Sequence, residues 1–373
     1  MNDFIRFAHI SDMHIGKRVN GFSLIEDQGY VLKQIFDIAR EKNVDGILVS
    51  GDIYDRSDPS AEAVKLFDWF LSSLSSIGKP IFISSGNHDS ATRLSYGAEI
   101  FDALNIHISP VYDGCIKPVR VKNADIYMLP FLNPSLVRSI FPDEKIDTYT
   151  DAIRVAISHI DIDKSRINVL LSHQFVTGAV TSESEEMYVG GLENVDISVY
   201  DDFDYVALGH LHKPQNVKSS RVRYSGSPLK YSFSEINDNK SVTLVDITSE
   251  GCVSLAFCPL IPRYDMKEKK GKFDDLIKES SEDYMHIILT DSDDIPNCQA
   301  RLRSQYPRLM LLELEKNIKR DVSFDDISID ERKSPLELFA EFYKKQNGDD
   351  LAEDDISFLQ TLLENMEGEN ETN

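Results

Sequence analysis

Five short stretches of this sequence place oxygen and imidazole side chains at the ends of apolar runs. They are Asp12-Met13-His14, Gly51-Asp52-Ile53-Tyr54-Asp55, Gly86-Asn87-His88-Asp89, a lone His173, and Gly209-His210-Leu211-His212. No thiolate is among them, and a mixture of carboxylate, amide oxygen and imidazole suits Mn²⁺, Fe²⁺ or Zn²⁺. The donors are too many for one ion. Two ions roughly 3.5–4 Å apart with a carboxylate between them are the natural arrangement. Asp52 is the expected bridge, because its strand should be central in the sheet. In Asp12-x-His14 and His210-x-His212, both side chains can face one cavity if the backbone is extended. Gly51, Gly86 and Gly209 are read as tight turns that bring backbone close to the ions. Asp89 is read as a carboxylate that fixes the turn presenting Asn87.

These clusters need elements to hold them. Residues 4–10 and the run GILVS before Asp52 read as buried strands, as does 80–85 before Gly86. Between them, 26–42 and 60–76 carry apolar residues at helical spacing. Strands at 125–129, 168–171 and 203–208 and a helix near 150–159 continue the alternation, which is the α/β signature of a largely buried sheet. In such folds sites form beyond the carboxyl ends of the strands. RVRYSG and SVTLVDI then read as antiparallel strands. A Pro- and Lys-rich shift at 259–270 marks a domain boundary, and strands at 285–290 and 309–315 around a helix at 295–305 suggest a small α+β module. The basic run 267–272 reads as a linker, with phosphate contact as the alternative. The tail shows two short amphipathic stripes, Leu336–Tyr343 and Ile356–Met366, separated by a turn. The expected domains are therefore 1–260, 261–316 and 317–373.

The ordered series DxH, GDxxD, GNHD, His and GHxH resembles the calcineurin-like metallophosphoesterase superfamily over residues 9–212. The segments ISDMHIGK and GSPLKYSFSE, with the tail, make the chain similar over nearly its whole length to the bacterial SbcD-type nuclease subunits. That resemblance implies a two-sheet αββα sandwich with a smaller α+β capping domain and C-terminal helices. It implies that Asp12, His14, Asp52 and His212 hold a first metal, and Asp52, Asn87, His173 and His210 a second. His88 would face the scissile phosphate and protonate the departing group, and Asp55 would orient His88 through its ring nitrogen. It also implies two divalent ions, Mn²⁺ foremost. The implied activities are 3′–5′ exonuclease on duplex DNA ends and endonuclease on single strands and hairpins. An SbcC-type coiled-coil ATPase would dock on residues 334–366, and the chain would be a homodimer within a heterotetramer. Two cations would activate a bridging water for in-line attack on phosphorus. Lys17, Arg18 and Lys230 are candidate DNA contacts, the last beside a phosphate-binding turn at Ser225-Gly226-Ser227.

The composition narrows the partners. The net charge of the 373 residues is -23, and residues 317–373 alone carry 16 acidic against 6 basic groups. Such a chain does not bind polyanions by overall charge, so DNA must be held by local groups and bound cations. The four cysteines, Cys115, Cys252, Cys258 and Cys298, form no CxxC pair. The N-terminus lacks a basic stretch followed by an apolar one, and no apolar run reaches about 20 residues. A cytoplasmic protein without a membrane span is expected. No GxxxxGK[ST] loop is present, which leaves ATP use to a partner. Two rival functions remain: a phosphatase or small-molecule phosphodiesterase of the same superfamily, and a noncatalytic DNA-end scaffold.

Overall fold

A computed structural model describes residues 4–185, 194–292, 295–315 and Ile356. Residues 1–314 form one compact unit, and Glu315–Asn373 fall in a second. Apart from Ile356, the predicted tail helices, and with them the docking segment 334–366, lie outside the described residues.

Two six-stranded mixed sheets make the body. The first runs, in spatial order, Val253–Pro259, Ser241–Thr248, Phe4–Ile10, Gly46–Ser50, Ile81–Ser84, Ile106–Ile108. The second runs Gln215–Val217, Ser219–Tyr224, Tyr205–Gly209, Ile167–His173, Ala124–Met128, Val119–Val121. Residues alternate across each strand, so Ile5 and Phe7 meet Leu48, Phe82, Val169 and Tyr205 between the sheets, while Ala8 and Ile10 face the outer helices. Burial on both faces explains why these strands are continuously apolar. Helices Ile25–Glu41 and Ala61–Ser75 cover the first sheet, and Pro134–Ile140 and Tyr149–Ser158 the second. The sequence starts them plainly. Ser60 caps the Ala63 amide, and Thr148 and Asp151 form a reciprocal capping box. The expected αββα sandwich is what the structure shows.

One expectation about the later strands holds and one needs correction. RVRYSG and SVTLVDI each form a strand with an antiparallel neighbour. Ser219–Tyr224 lies antiparallel to Gln215–Val217 in the second sheet, and Ser241–Thr248 lies antiparallel to Phe4–Ile10 in the first. The basic run is not a linker but the strand Met266–Gly271, parallel to Tyr284–Leu289, which in turn pairs with Leu309–Leu314. Its lysines follow one buried position, Met266, and find acids nearby: Lys267 bonds Asp283 at 2.7 Å, and Lys269 bonds Glu279. Local charge hid a strand whose apolar support comes from its neighbours. The resulting three-stranded sheet packs Phe273, Met285, Ile287 and Leu302 into its own core. It is tied to the body by the Tyr284 hydroxyl, which donates to Asp27 at 2.8 Å.

Candidate metal centre

All five clusters meet where the parallel strands of the two sheets end. The loop after Phe4–Ile10 is zipped to the loop after Gly46–Ser50: Asp12, His14 and Ile15 donate amides to the carbonyls of Gly51, Asp52 and Ile53 at 3.1, 3.0 and 2.9 Å. Asp89 joins the third loop to the second by accepting the amides of Ile53, Tyr54 and Gly86. Burial raises the Asp89 carboxyl to about 6 against those hydrogen bonds. The fifth loop reaches the first through the His210 amide, which donates to Asp12 Oδ1 at 2.8 Å. Space between the sheets is scarce here. A Cβ on Gly209 would fall 1.8 Å from the Ser50 carbonyl oxygen, and one on Gly86 would fall 2.1 Å from Asp52 Oδ1. Four candidate ligands sit at positive φ, namely Asp12 at 52°, His14 at 43°, Asp52 at 51° and His210 at 100°. Such backbone costs of order 1–3 kcal/mol per residue and persists where its surroundings enforce it.

The donors converge. Asp52 Oδ2 stands 3.2 Å from His173 Nε2 and 3.5 Å from His14 Nε2. The other oxygen of Asp52 accepts the His88 amide at 2.9 Å. Asn87 Oδ1 lies 3.1 Å from both His173 Nε2 and His210 Nδ1, and His14 Nε2 lies 3.0 Å from His212 Nε2. Asp12 shares one cluster with His14 and His212 and a second with Asp52 and His173. The strand of Asp52 is interior to its sheet, as expected.

This set fits cations and fits little else. Asp12, His14, Asp52, His173, His210 and His212 are all at most 5% exposed. The His173 Nδ1 proton goes to the Ser50 carbonyl at 2.8 Å, which turns Nε2 toward Asp52 Oδ2 and Asn87 Oδ1. His14 Nε2 and His212 Nε2 stand 3.0 Å apart, close enough for one cation to take both. His14 Nδ1 and His210 Nε2 are buried without a hydrogen-bond partner. The electrostatics record the same need for positive charge. Burial alone would depress His173, yet the charge of Asp52 lifts it to about 9. Burial raises Asp12 to about 6 and lowers His210 to about 3. Asp52 is held well below the usual carboxylate range because His173 and His14 outweigh its burial.

Other predicted residues settle differently. His88 sits at the edge, half-buried, its ring edge-on to His14 at 4.8 Å. Its Nδ1 meets the Asp55 backbone carbonyl at 3.1 Å, not the carboxylate, which instead takes Lys17 Nζ at 2.8 Å. Asp55 thus supports His88 through its main chain. Lys17 is committed to that pair and to the face of Tyr231. Lys230 is likewise occupied, by the Ile236 carbonyl at 2.7 Å and Asp265 at 2.9 Å. Neither is a free phosphate contact, and Ser225 and Ser227 are fully buried, so their turn does not face a phosphate either. Arg18 is exposed and lines a cleft of about 440 Å³ together with Asp55 and Arg56. His9 is buried between Tyr205 and Ser50. Sequence reasoning did not find Ser184, Glu185, Tyr231, Glu235 or Lys240 as supports of this centre. The signal available was the segment GSPLKYSFSE, which carries Tyr231 and Glu235 beyond the last ligand motif.

Comparison with known proteins agrees. The family model of calcineurin-like phosphoesterases matches residues 5–214, and that of the type 5 capsule protein repressor C-terminal domain matches residues 262–347. The SbcD subunit of the SbcCD nuclease from Staphylococcus epidermidis is 32% identical, over 98% of this chain and all of the relative. Two solved structures are more distant, each at 13% identity. A dimetal phosphatase from Danio rerio gives a TM-score of 0.42 over 69% of this chain and 97% of that one. The protein TT1561 of Thermus thermophilus gives 0.37 over 68% and 99%.

Proposed function

Because the chain belongs to the calcineurin-like phosphoesterase family, and along almost its whole length to the SbcD nuclease subunits, we propose that it is the two-cation nuclease subunit of a complex that processes DNA ends. The reading gives it 3′–5′ exonuclease activity on duplex ends and endonuclease activity on single strands and hairpins. The observation that carries it is Asp52 Oδ2 standing between His173 Nε2 and His14 Nε2, at 3.2 and 3.5 Å, in two donor groups, one with Asp12 and His173 and one with His14 and His88.

In this reading Asp12, His14, Asp52 and His212 hold one cation, and Asp52, Asn87, His173 and His210 the other, Mn²⁺ being the expected metal. Bound there, the pair supplies an activated water and neutralises phosphoryl charge. The chain's own residues do the rest. The His88 amide occupies one oxygen of Asp52 and leaves the second to face both clusters. The Asp55 carbonyl accepts the His88 Nδ1 proton and so orients the ring, with its opposite nitrogen toward the leaving 3′ oxygen, to which the doubly protonated ring gives a proton. The cations and Arg18 give DNA the local positive charge that the acidic chain lacks overall. The proposed organisation is a nuclease domain at 1–260, a capping domain at 261–316 and an acidic tail at 317–373 that docks an SbcC-type ATPase through 334–366. The assembly is a cytoplasmic heterotetramer built on a homodimer. Among the described residues no helix is long and apolar enough to cross a membrane.

The test is cleavage of an end-labelled duplex and a hairpin in Mn²⁺, Mg²⁺ or chelator, with His88→Gln alongside and with an SbcC-type partner plus ATP. Mn²⁺-dependent cutting that vanishes in His88→Gln, while both cations stay bound, is expected. No cutting under any condition by a protein that holds two cations would overturn the nuclease reading in favour of a phosphatase.

A further inference from the structure

His212 differs from the other imidazoles of the centre in what holds its far side. His173 and His88 each give a proton to a backbone carbonyl. His212 Nδ1 meets a side chain, Ser184 Oγ, at 2.6 Å. That hydroxyl also lies 2.5 Å from Glu235 Oε1. Glu235 is fully buried, and its second oxygen takes Lys240 Nζ at 2.5 Å, so it is an ionised carboxylate that only accepts. The single Ser184 proton therefore goes to Glu235. The serine oxygen is left to accept, and the proton between it and His212 must come from Nδ1. His212 Nε2 is then a bare lone pair, and it is this atom that faces His14 Nε2 at 3.0 Å.

The same lysine fixes the backbone of the ligand. Lys240 Nζ donates to the His212 carbonyl at 2.8 Å and to Ser227 Oγ at 3.1 Å. Glu185 accepts the His212 amide at 2.7 Å. A buried Lys–Glu pair is expensive to desolvate and is weak evidence for added stability. Here it ends, through one hydroxyl, on the nitrogen that selects a tautomer.

We infer that Ser184, Glu235 and Lys240 form a positioning relay that holds His212 as its Nδ1–H tautomer and thereby sets the affinity of one of the two cation sites. The inference rests on the two-cation reading for its second half only. The tautomer belongs to the metal-free protein and is measured there.

Two variants test the relay. Ser184→Ala removes the hydroxyl and leaves the ion pair. Glu235→Gln combined with Lys240→Met removes both charges at similar volume, so no lone charge stays buried. Ser184→Thr keeps a hydroxyl and serves as the rescue. In the cation-free protein, nitrogen-15 spectra of the histidines, assigned with His212→Asn, should place the His212 proton on Nδ1. Ser184→Ala and the double variant should shift it toward a tautomer mixture, and Ser184→Thr should restore it. In equilibrium dialysis with Mn²⁺, wild type should bind two ions. Ser184→Ala should weaken one of them by roughly 10- to 100-fold and leave the other unchanged, the usual effect of losing an outer partner of a ligating histidine. A His212 proton on Nε2, or spectra unchanged by Ser184→Ala, overturns the relay. Two Mn²⁺ sites of unchanged affinity in Ser184→Ala overturn its link to the cation. A wild type that binds fewer than two ions, with the tautomer as stated, overturns the two-cation reading and leaves the relay standing.

Discussion

Two groups of ionisable side chains sit on this molecule, and they are built on opposite terms. On the capping sheet, His286 stands between Glu268 and Glu313, at 3.1 and 3.3 Å, on three adjacent strands. Both glutamates are more than 40% exposed, while the His286 ring between them is buried and its nitrogens make no hydrogen bond. At the ends of the main sheets, Asp12, Asp52, Asn87 and four histidines crowd together, with His14 Nε2 3.0 Å from His212 Nε2 and Asn87 Oδ1 3.1 Å from His173 Nε2 and His210 Nδ1, and all but Asn87 are at most 5% exposed. The first group keeps its carboxylates in water. The second buries two carboxylates among four imidazoles, and burying charged groups is costly unless they are paired. A protein keeps such an arrangement where something else completes it. Exposure of the carboxylates thus separates a surface charge cluster from a candidate cation site, even though both contain His and carboxylates.

The largest effect should come from the oxygen the two donor sets share. Asp52→Asn keeps the size and the acceptor for the His88 amide but removes the charge that lifts His173. Turnover should fall by at least about 10²–10³-fold, the range seen when a single charge-stabilising group is lost, and Mn²⁺ stoichiometry should fall with it. Full activity with two ions bound would mean that the cavity is not organised around Asp52.

Stability should separate the regions next. Gly209→Ala must push a methyl into the Ser50 carbonyl and the His173 ring, so we expect a loss of about 3 kcal/mol or more, the scale of severe overpacking. On the capping sheet, a Cβ at Gly271 would meet Leu276 at ordinary distance, 3.6 Å, and Gly271→Ala should change stability by less than about 1 kcal/mol. Urea denaturation midpoints compare the two, and equal losses would show that the two sheets are not in fact locked together at Gly209.

The sequence carried the cavity better than its supports. Asp12, Asp52, Asn87, His173, His210 and His212 stood out because each follows an apolar run, where packing has no use for a polar residue. The zipped loops follow from the same motifs. What stayed hidden were groups whose roles depend on distant chain. Lys17 and Lys230 look like free cations in sequence, but partners 38 and 35 residues away, Asp55 and Asp265, claim them. Ser184 and Glu235 lie 28 and 23 residues from His212 without periodic signal. The strand Met266–Gly271 was unreadable because its apolar support comes from Tyr284–Leu289, while its own residues are mostly charged.

His9 gives a pH test that lies between the two groups in size. It is buried against Tyr205 and Ser50, and burial, aided by the charge of Arg223, lowers it from 6.5 to about 3. Below pH 6.5 the unfolded chain binds a proton that the folded chain refuses. The stability this neutral histidine allows is therefore complete above 6.5 and is lost as pH falls toward 3, at up to about 1.4 kcal/mol per pH unit. His9→Asn should flatten the fall in urea-unfolding free energy between about pH 6.5 and about 4.5 by that amount. Parallel curves would mean that His9 titrates normally in the fold.

The smallest effect is the one that tests the comparison most directly. Glu268→Gln removes one of the two charges beside His286. The glutamate is 45% exposed, its partner is also held by Glu313, and salt and water screen what remains. The unfolding free energy should move by no more than about 0.5 kcal/mol, and Mn²⁺ stoichiometry and cleavage should not move at all. The chemistry of the two clusters is nearly the same, so composition cannot explain a difference between them. If Glu268→Gln lowered cation binding as Asp52→Asn does, burial of the carboxylates would not be what distinguishes a site, and the three-stranded sheet would have to be counted as part of the metal centre.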